Sequence, residues 1–214
     1  MPKNSTRASA PSIGSDDLFQ SEEPHSLAGL NEIITASKPM VHGGKKAVLG
    51  EGPIGAKLAF VGEQPGDQED LQGRPFVGPA GQLLDKALAE AGIHREDTYV
   101  TNAVKHFKYE ERGKRRIHQK PTMGEIKHYR WWLLKELGFV HPRLVVALGA
   151  TAAAALAGEP VAIGKSRGQY QFGDIPGFVT VHPSAMLRMP DHDEREHAFA
   201  DFVRDLKSAR KLVH

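Results

Sequence analysis

The stretch "KLAFVGEQPG" (Lys57–Gly66) places a short apolar run directly before a turn that contains two glycines and a proline. The uninterrupted apolar residues 58–61 are typical of a strand that is buried in a sheet. Glycine and proline let the backbone turn tightly, which would bring Glu63 and Gln64 close to a ligand. Turns of this composition also serve only to connect elements, so the stretch alone leaves a binding role open.

Outward from this stretch, strand-like and helix-like segments alternate along the chain. Further strands are predicted for "TYVTNAV" (Thr98–Val104), "RLVVALG" (Arg143–Gly149) and "GFVTVHP" (Gly177–Pro183). Helices are predicted for "AGQLLDKALAEAG" (Ala80–Gly92), "PTMGEIKHYRWWLLKELG" (Pro121–Gly138), "ATAAAALAG" (150–158) and "DEREHAFADFVRDLKSARKL" (193–212). This alternation predicts an α/β fold, a three-layer αβα sandwich on a four-stranded parallel sheet.

Length and composition indicate one domain with a loose end. The chain has 214 residues and no internal repeat, so we expect a domain over residues 28–214. Residues 1–27 are rich in Ser, Pro and acidic residues and predict a disordered tail. No apolar run is long enough to span a membrane, and the first residues lack the apolar core of a secretory signal. We therefore expect a monomer in a bacterial-type cytoplasm, associated with the nucleoid.

The positive charge of the chain is concentrated in one segment. The net charge is only +2, but residues 105–120 carry seven Lys or Arg against two Glu. Within this segment the run "KRR" (114–116) ends two positions before His118. A local basic excess indicates contact with nucleic acid. A basic loop that only faces solvent is the alternative interpretation.

Polar residues follow the predicted strands at their carboxyl ends. Glu63 and Gln64 come after the first strand, Asn102 lies at the end of the second, and His182 ends the fourth. The carboxyl ends of parallel strands meet at one rim, where ligands of such sheets bind. A single His or Asn at a strand end is often structural, but the combination predicts a ligand site.

Together these motifs resemble the uracil-DNA glycosylase superfamily over roughly Leu58–Leu206. "GEQPG" is similar to the first active-site motif of that superfamily, and "HPSAMLR" (182–188) is similar to the second. "GRPFVGPAG" (73–81) and "YVTNAVKHFK" (99–108) resemble its iron–sulfur branch. Within that branch, "KRRIH" resembles the UdgX group, whose members become covalently attached to the DNA from which they remove uracil.

The resemblance implies a role for each residue of the site. Asn102 would read the uracil edge, and Phe76 would stack on the flipped base. His182 would donate a hydrogen bond to uracil O2 as charge accumulates on the departing base. Glu63 and Gln64 would lie near the sugar. Gly62 and Asp67 would shape the pocket, and contacts with DNA would come from Lys114, Arg115, Arg116, Lys165, Arg167, Ser184 and Arg188.

The same resemblance implies that His118 attacks C1′ of the deoxyribose. A neutral imidazole nitrogen is a competent nucleophile toward an oxocarbenium ion, and the resulting bond has no easy hydrolytic exit. The expected partner is uracil-containing DNA, single-stranded or double-stranded. Two alternatives stay open: a conventional glycosylase that uses water, and a non-catalytic protein that binds uracil-containing or single-stranded DNA.

One feature departs from the iron–sulfur branch. The chain has no cysteine, which excludes disulfides and thiolate ligands. Alignment by eye puts Thr35, Lys38 and Tyr129 where cluster-binding cysteines would stand, and leaves only His106 as a ligand. We therefore expect no metal and no other cofactor. Packing among "ASKPMVHGG" (36–44), Tyr129 and Trp131 is expected to take the place of a cluster.

Overall fold

The computed structural model of the protein describes residues 23–213. In this part of the chain the strands are β1 (Leu58–Gly62), β2 (Tyr99–Asn102), β3 (Tyr109–Arg112), β4 (Arg115–His118), β5 (Leu144–Leu148), β6 (Gly168–Phe172) and β7 (Ile175–Thr180). The helices are α1 (Leu27–Ala36), α2 (Asp67–Gln72), α3 (Pro79–Glu90), α4 (Met123–Val140), α5 (Ala150–Ala157), α6 (Ile163–Ser166), α7 (Pro183–Leu187) and α8 (His192–Lys211).

The main sheet has the strand order β2-β1-β5-β7-β6. The first four strands of this order are parallel, which confirms the predicted α/β class and its four parallel strands. A fifth strand, β6, pairs antiparallel with β7 at the edge and was not predicted. Its sequence "GQYQF" is polar and half exposed because an edge strand needs apolar side chains on only one face.

Helices cover both faces of the sheet, as the predicted sandwich requires. On one face α3, α7 and α8 pack on a core that contains Phe60, Leu84 and Phe202. On the other face α4 and α5 pack on a core that contains Val61, Leu133 and Val145. Strands β1 and β5 are buried along their whole length because both of their faces are covered.

Helix α4 is longer at its carboxyl end than predicted. It begins after Thr122, whose side chain accepts a hydrogen bond from the Glu125 backbone in a capping box. It continues through Gly138 and ends at Val140, where His141 adopts a left-handed φ of 53°. Val140 is fully buried, so packing of the last turn outweighs the weak helix preference of glycine.

The amino-terminal region contributes a third core. Most of the predicted tail, residues 1–22, lies outside the described residues. Ser26 caps α1, and Leu30 and Ile34 of this helix are fully buried. They pack with Val41, Val104, Tyr129 and Trp132. Helix α1 begins at Leu27, next to the predicted domain boundary at residue 28.

The predicted basic loop is a β-hairpin. Strands β3 and β4 pair antiparallel, with Tyr109 opposite His118 and Arg112 opposite Arg115. Gly113 has a φ of 62° at the turn, a conformation that residues other than glycine rarely adopt. The hairpin places His118 at its base, opposite Tyr109 and away from the turn.

Within residues 23–213, no helix combines the length and the hydropathy that crossing a lipid bilayer requires.

Candidate active site

The ends of the parallel strands bring most of the predicted catalytic residues to one rim. Gly62 at the end of β1 pairs in register with Asn102 at the end of β2. Glu63 follows β1 directly, and His182 follows β7 as the N-cap of α7. Helix α5 begins just after β5, so its first residues lie at the same rim.

A carboxylate contacts the histidine of the hairpin. His118 Nε2 lies 3.1 Å from Glu63 Oε1, although the two residues are far apart in the sequence. The other carboxylate oxygen, Oε2, accepts a hydrogen bond of 2.5 Å from the Thr151 hydroxyl. Burial raises the pKa of Glu63, but the hydrogen bonds from His118 and Thr151 outweigh burial and hold the pKa below its usual value. Glu63 is therefore ionised at neutral pH.

Thr151 is a residue of the site that the sequence did not reveal. It lies in the first turn of α5 and is 3% exposed. The sequence predicts a strand over Arg143–Gly149 and a helix over 150–158, but an Ala-rich helix gives no sign that its threonine reaches a carboxylate. A buried hydroxyl needs a partner, and that need was the one available signal.

His182 presents one ring nitrogen to the site in a defined protonation state. The Ser184 backbone N–H donates to His182 Nδ1 at 3.2 Å, and the Ser184 hydroxyl lies 2.8 Å from the same nitrogen. Because Nδ1 accepts, the ring proton of the neutral form is on Nε2. Burial lowers the pKa of His182 to about 4, so the ring is neutral at physiological pH. His182 can therefore donate from Nε2.

Asn102 and Phe76 lie close together beside Gly62. A Cβ added at Gly62 would overlap with Asn102 Oδ1 and would lie 2.6 Å from Phe76 Cζ. Only glycine therefore permits this arrangement. The Phe76 ring stacks on the His182 ring with a centroid distance of 6.3 Å. Phe76 also has a φ of 55°, a strained conformation of the kind that concentrates at functional sites.

A buried ion pair supports Asn102 from below. Lys105 Nζ donates to Glu136 Oε2 at 2.5 Å and to the Asn102 carbonyl at 2.9 Å. The two side chains are 0% and 1% exposed. The Tyr99 hydroxyl also donates to Glu136. Removing one partner would leave a buried charge, so this network fixes the backbone of Asn102.

Gln64 holds the hairpin in place. Its Nε2 donates to the carbonyl oxygens of Lys108 and Gln119, and its Oε1 accepts from the Lys108 backbone N–H. These residues lie at the two ends of the hairpin. Gln64 was expected beside the sugar. The residue is only 8% exposed, and its side-chain amide makes three hydrogen bonds to the hairpin. These bonds position the hairpin, and a place for Gln64 near the sugar stays a prediction.

Arg116 also contacts the protein, although it was expected on DNA phosphates. Its guanidinium pairs with Asp67 at 2.6 Å and with Asp70 at 2.5 Å, and it lies over the rings of Phe107 and Tyr109. These contacts fix β4 against α2. Asp67 accordingly acts through the hairpin, and the contacts of Arg116 with DNA stay a prediction.

The remaining predicted DNA contacts differ in availability. Lys114 and Arg115 are exposed at the hairpin turn. Lys165 is exposed on α6, whereas Arg167 pairs with Asp205 at 2.7 Å. Arg188 donates to the Ser184 hydroxyl at 3.1 Å and thereby adds to the support of His182.

Comparison with known proteins agrees with this geometry. The sequence pattern of the uracil DNA glycosylase superfamily matches residues 49–207. This chain belongs to that superfamily. A type-4 uracil-DNA glycosylase of Thermotoga maritima is 40% identical over 169 residues, which cover 78% of this chain and 82% of the relative. The enzymes of that name from Pyrobaculum aerophilum and Saccharolobus solfataricus are 37% and 35% identical, over 77% and 68% of this chain and 86% and 69% of the relatives.

The iron–sulfur cluster of the branch that the sequence resembles does not fit this superfamily member. Clusters of this kind are held by cysteine thiolates, and the chain has none. Thr35 and Lys38 are exposed, and within residues 23–213 no three His, Asp or Glu side chains are grouped to hold a metal ion.

Tyr129 forms a hydrogen-bond cluster at the third aligned position. Its hydroxyl accepts from the Met40 backbone N–H at 3.0 Å and lies 2.7 Å from His106 Nδ1. Through these two contacts the Tyr129 cluster joins the segment after α1, the segment after β2, and α4. The prediction that Trp131 packs against Tyr129 is wrong. Trp131 is 46% exposed, and Trp132 instead packs edge-on against Tyr129 at a centroid distance of 5.4 Å.

Proposed function

We propose that this protein removes uracil from DNA. The superfamily membership and the names of the relatives support this activity, and so does the polar and aromatic lining of the rim. The base must leave the helix to reach such a rim, at a cost of a few kcal/mol. Uracil would then lie against Phe76, with the Asn102 amide facing its O4 and N3–H. Both a donor and an acceptor are needed for that edge, and an amide provides both.

His182 would stabilise the departing base. Breaking the C1′–N1 bond leaves an electron pair on uracil, and the charge spreads to its O2. The Nε2–H of neutral His182 can donate to that oxygen. Glu63, which is ionised, would favour the positive charge that develops on the sugar. Uracil selectivity would come from Asn102, because a base with the opposite pattern would leave its amide unpaired, at a cost of about 1–3 kcal/mol.

We further propose that the protein follows the UdgX pattern and becomes linked to C1′ through His118. The contact of 3.1 Å between His118 Nε2 and Glu63 Oε1 carries this proposal. An ionised carboxylate only accepts, so Nε2 holds a hydrogen. As Nε2 forms the bond to C1′, that proton passes to Glu63, and the adduct retains a lone pair on Nδ1. The proton then neutralises the uracil anion, so atoms and charges balance.

The hairpin supports covalent capture over hydrolysis. Gln64 and the Arg116 ion pairs hold His118 at the rim before DNA is bound, which favours attack by the ring over attack by a water molecule. A carbon–nitrogen bond to imidazole lacks the easy hydrolysis of an ester. Each molecule would therefore react once.

The test is a denaturing gel after incubation with a uracil-containing oligonucleotide. We expect a shifted band that survives denaturation, with the deoxyribose mass on His118 after nuclease and protease digestion. The variant His118→Ala should lose the band, whereas His128→Ala, a substitution at an exposed histidine of α4, should keep it. Abasic product without a shift would support the conventional glycosylase instead. If neither product forms, DNA binding without catalysis is the remaining interpretation.

A further inference from the structure

A groove runs along the outer side of α4, away from the residues discussed above. It has a volume of about 720 Å³ and lies between the start of the described chain and the second half of α4. Its lining includes Pro24, Lys127, Arg130, Trp131, Lys135 and Phe139. Trp131 is the notable member, because its large aromatic side chain is 46% exposed and is available for stacking.

The charge of the groove has one sign. Lys127, Arg130 and Lys135 all line it, and within residues 23–213 the lining contains no Asp or Glu. Lys135 Nζ lies 5.7 Å from the centroid of the Trp131 ring. The Arg130 guanidinium is also anchored to the protein, because its Nη2 donates to the Leu156 carbonyl at 3.2 Å. The groove therefore combines cations with an exposed aromatic face.

One contact shows that the groove cations accept an anionic group. Glu23, at the start of the described chain, pairs with Lys135 at 2.8 Å, and the Glu23 side chain is 74% exposed. Because both side chains are at the surface, this pair is weak and easily exchanged for another anion.

We propose that this groove binds a stretch of single-stranded DNA adjacent to the uracil site. Cations along a groove and an aromatic ring that stacks on a base are the two features by which proteins bind single strands without sequence preference. Positions 127–138 of α4 span roughly 16 Å, enough for about three to five nucleotides. The inference rests on the proposed action on DNA, because it extends the path of the strand that enters the site.

The groove begins near the hairpin. Lys127 and Glu125 both lie near the amino end of α4, and Glu125 accepts from Lys108 Nζ at 2.8 Å at the foot of the hairpin. Residues two positions apart lie on different sides of a helix, so a strand that places its uracil at the rim would pass around the amino end of α4 to enter the groove. Acidic Glu23 would compete with the DNA phosphates for Lys135.

Tryptophan fluorescence provides a direct test. The chain has two tryptophans, of which Trp132 is 8% exposed and Trp131 is the accessible one. The probe is an oligothymidylate of about twelve nucleotides without uracil, mixed with the His118→Ala chain so that no covalent step occurs. We expect quenching that the additional change Trp131→Ala removes, together with binding about tenfold weaker.

Charge reversal gives the second readout. Lys127→Glu combined with Lys135→Glu should weaken oligothymidylate binding at least tenfold and should reduce the slope of log K against log salt by about 1.4, or 0.7 for each lost contact. Lys207→Glu, at an exposed residue of α8, is the control for one reversed charge outside the groove. It should leave the quenching unchanged and should change the slope by no more than about 0.7, the value of one contact.

The outcomes separate this proposal from the proposed activity. A trinucleotide with a central deoxyuridine fills only the rim, so the groove variants should capture it at the normal rate. Normal quenching by oligothymidylate in a chain that never captures uracil DNA would retain the groove and reject the covalent step. Unchanged binding in both groove variants would overturn the proposal. Displacement of the DNA by polyglutamate at equal charge concentration would also overturn it and indicate an acidic-peptide site.

Discussion

At the scale of single residues, Glu63 is the centre of the site. One oxygen of its carboxylate faces His118, and the other accepts from Thr151. The two contacts fix the rotamer of the side chain and favour its ionised form. The proposed reaction needs that form twice, to stabilise the charge on the sugar and to take the proton of His118. In that reaction Thr151 would act through Glu63 without touching the substrate.

The change Thr151→Val tests this positioning role. Valine has the shape of threonine but lacks the hydroxyl, so Glu63 loses a hydrogen bond worth about 1.5–3 kcal/mol. Capture of uracil DNA should slow by roughly 10- to 100-fold. The pKa of Glu63 should rise, so the loss of rate on acidification should begin at a higher pH than in the unchanged protein.

Thr151→Ser is the control, because it retains the hydroxyl and should restore the acidic side of the pH profile. A purely structural role of Thr151 would lower the rate of the valine variant at every pH without moving the profile. That result would show that Thr151 does not act through Glu63.

The positions of several site residues could be predicted from the residues next to them in the chain. Glu63, Asn102 and His182 stand at strand ends, and a strand end can be predicted from the apolar run before it. Gln64 differs, because its partners Lys108 and Gln119 are 44 and 55 residues away in the sequence. They lie at the ends of a hairpin that the charge pattern predicted as a loop. Its positioning role could not be predicted from neighbouring residues.

At the scale of elements, the hairpin of β3 and β4 delivers the proposed nucleophile. Gln64 fixes its two ends, and Arg116 fixes one strand to α2. The basic composition suggested a loop that reaches for phosphates. The alternating positions of β4 instead send Arg116 to the protein and leave Arg115 exposed at the turn.

The change Gln64→Ala should separate capture from base release. Without the amide, the hairpin loses three hydrogen bonds, so His118 should be delivered less often while the base pocket stays intact. We expect a decrease of tenfold or more in the covalent band and an increase in abasic product. Gln68→Ala, on exposed α2, is the control and should leave the ratio unchanged. A parallel loss of both products would show that Gln64 also serves base release.

The Tyr129 cluster makes a second prediction at this scale. Tyr129→Phe removes two buried hydrogen bonds, to Met40 and to His106, so the free energy of unfolding should fall by about 2–4 kcal/mol. Hydrogen exchange at the Met40 amide should accelerate more than the average, because that N–H loses its acceptor. Tyr170→Phe on β6, where the ring packs on Phe172, is the matched control and should cost less than about 1 kcal/mol. If both variants lose the same free energy of unfolding, the Tyr129 cluster has no special role in stability.

At the scale of the whole molecule, the four parallel strands and the long helices between them could be predicted, because apolar runs and helical periodicity survive in these segments. The hairpin strands, the edge strand β6, the helix α1 and the short helices α2, α6 and α7 could not. Strand β6 alternates polar residues and depends on β7 for pairing, and α1 is buried by α4, which lies about 90 residues further on. Tertiary contacts decide such elements.

The stability of the fold should depend on pH through its buried histidines. Burial lowers the pKa of His106 to about 4, compared with about 6.5 in the unfolded chain, and His182 behaves in the same way. The unfolded chain therefore binds protons first as the pH falls. Stability should be complete above pH 6.5 and should decrease between pH 6.5 and 4, by roughly 3 kcal/mol for each histidine at most.

Urea unfolding between pH 7 and pH 4.5 measures this decrease. His106→Asn keeps an acceptor for the Tyr129 hydroxyl and removes one titrating group. The decrease in the free energy of unfolding between pH 7 and pH 4.5 should therefore be about half as large. His94→Asn, a change at an exposed histidine, is the control and should not alter the curve. A curve for His106→Asn as steep as that of the unchanged protein would assign the acid sensitivity to other groups.

The Tyr129 cluster has a consequence for how the protein can be made and kept. A domain whose three segments are joined by a phenol, an imidazole and a backbone amide needs no iron delivery and no assembly machinery to mature. It also offers no thiol to peroxide. Chelators and prolonged exposure to air should therefore leave its yield, its melting temperature and its reaction with DNA unchanged.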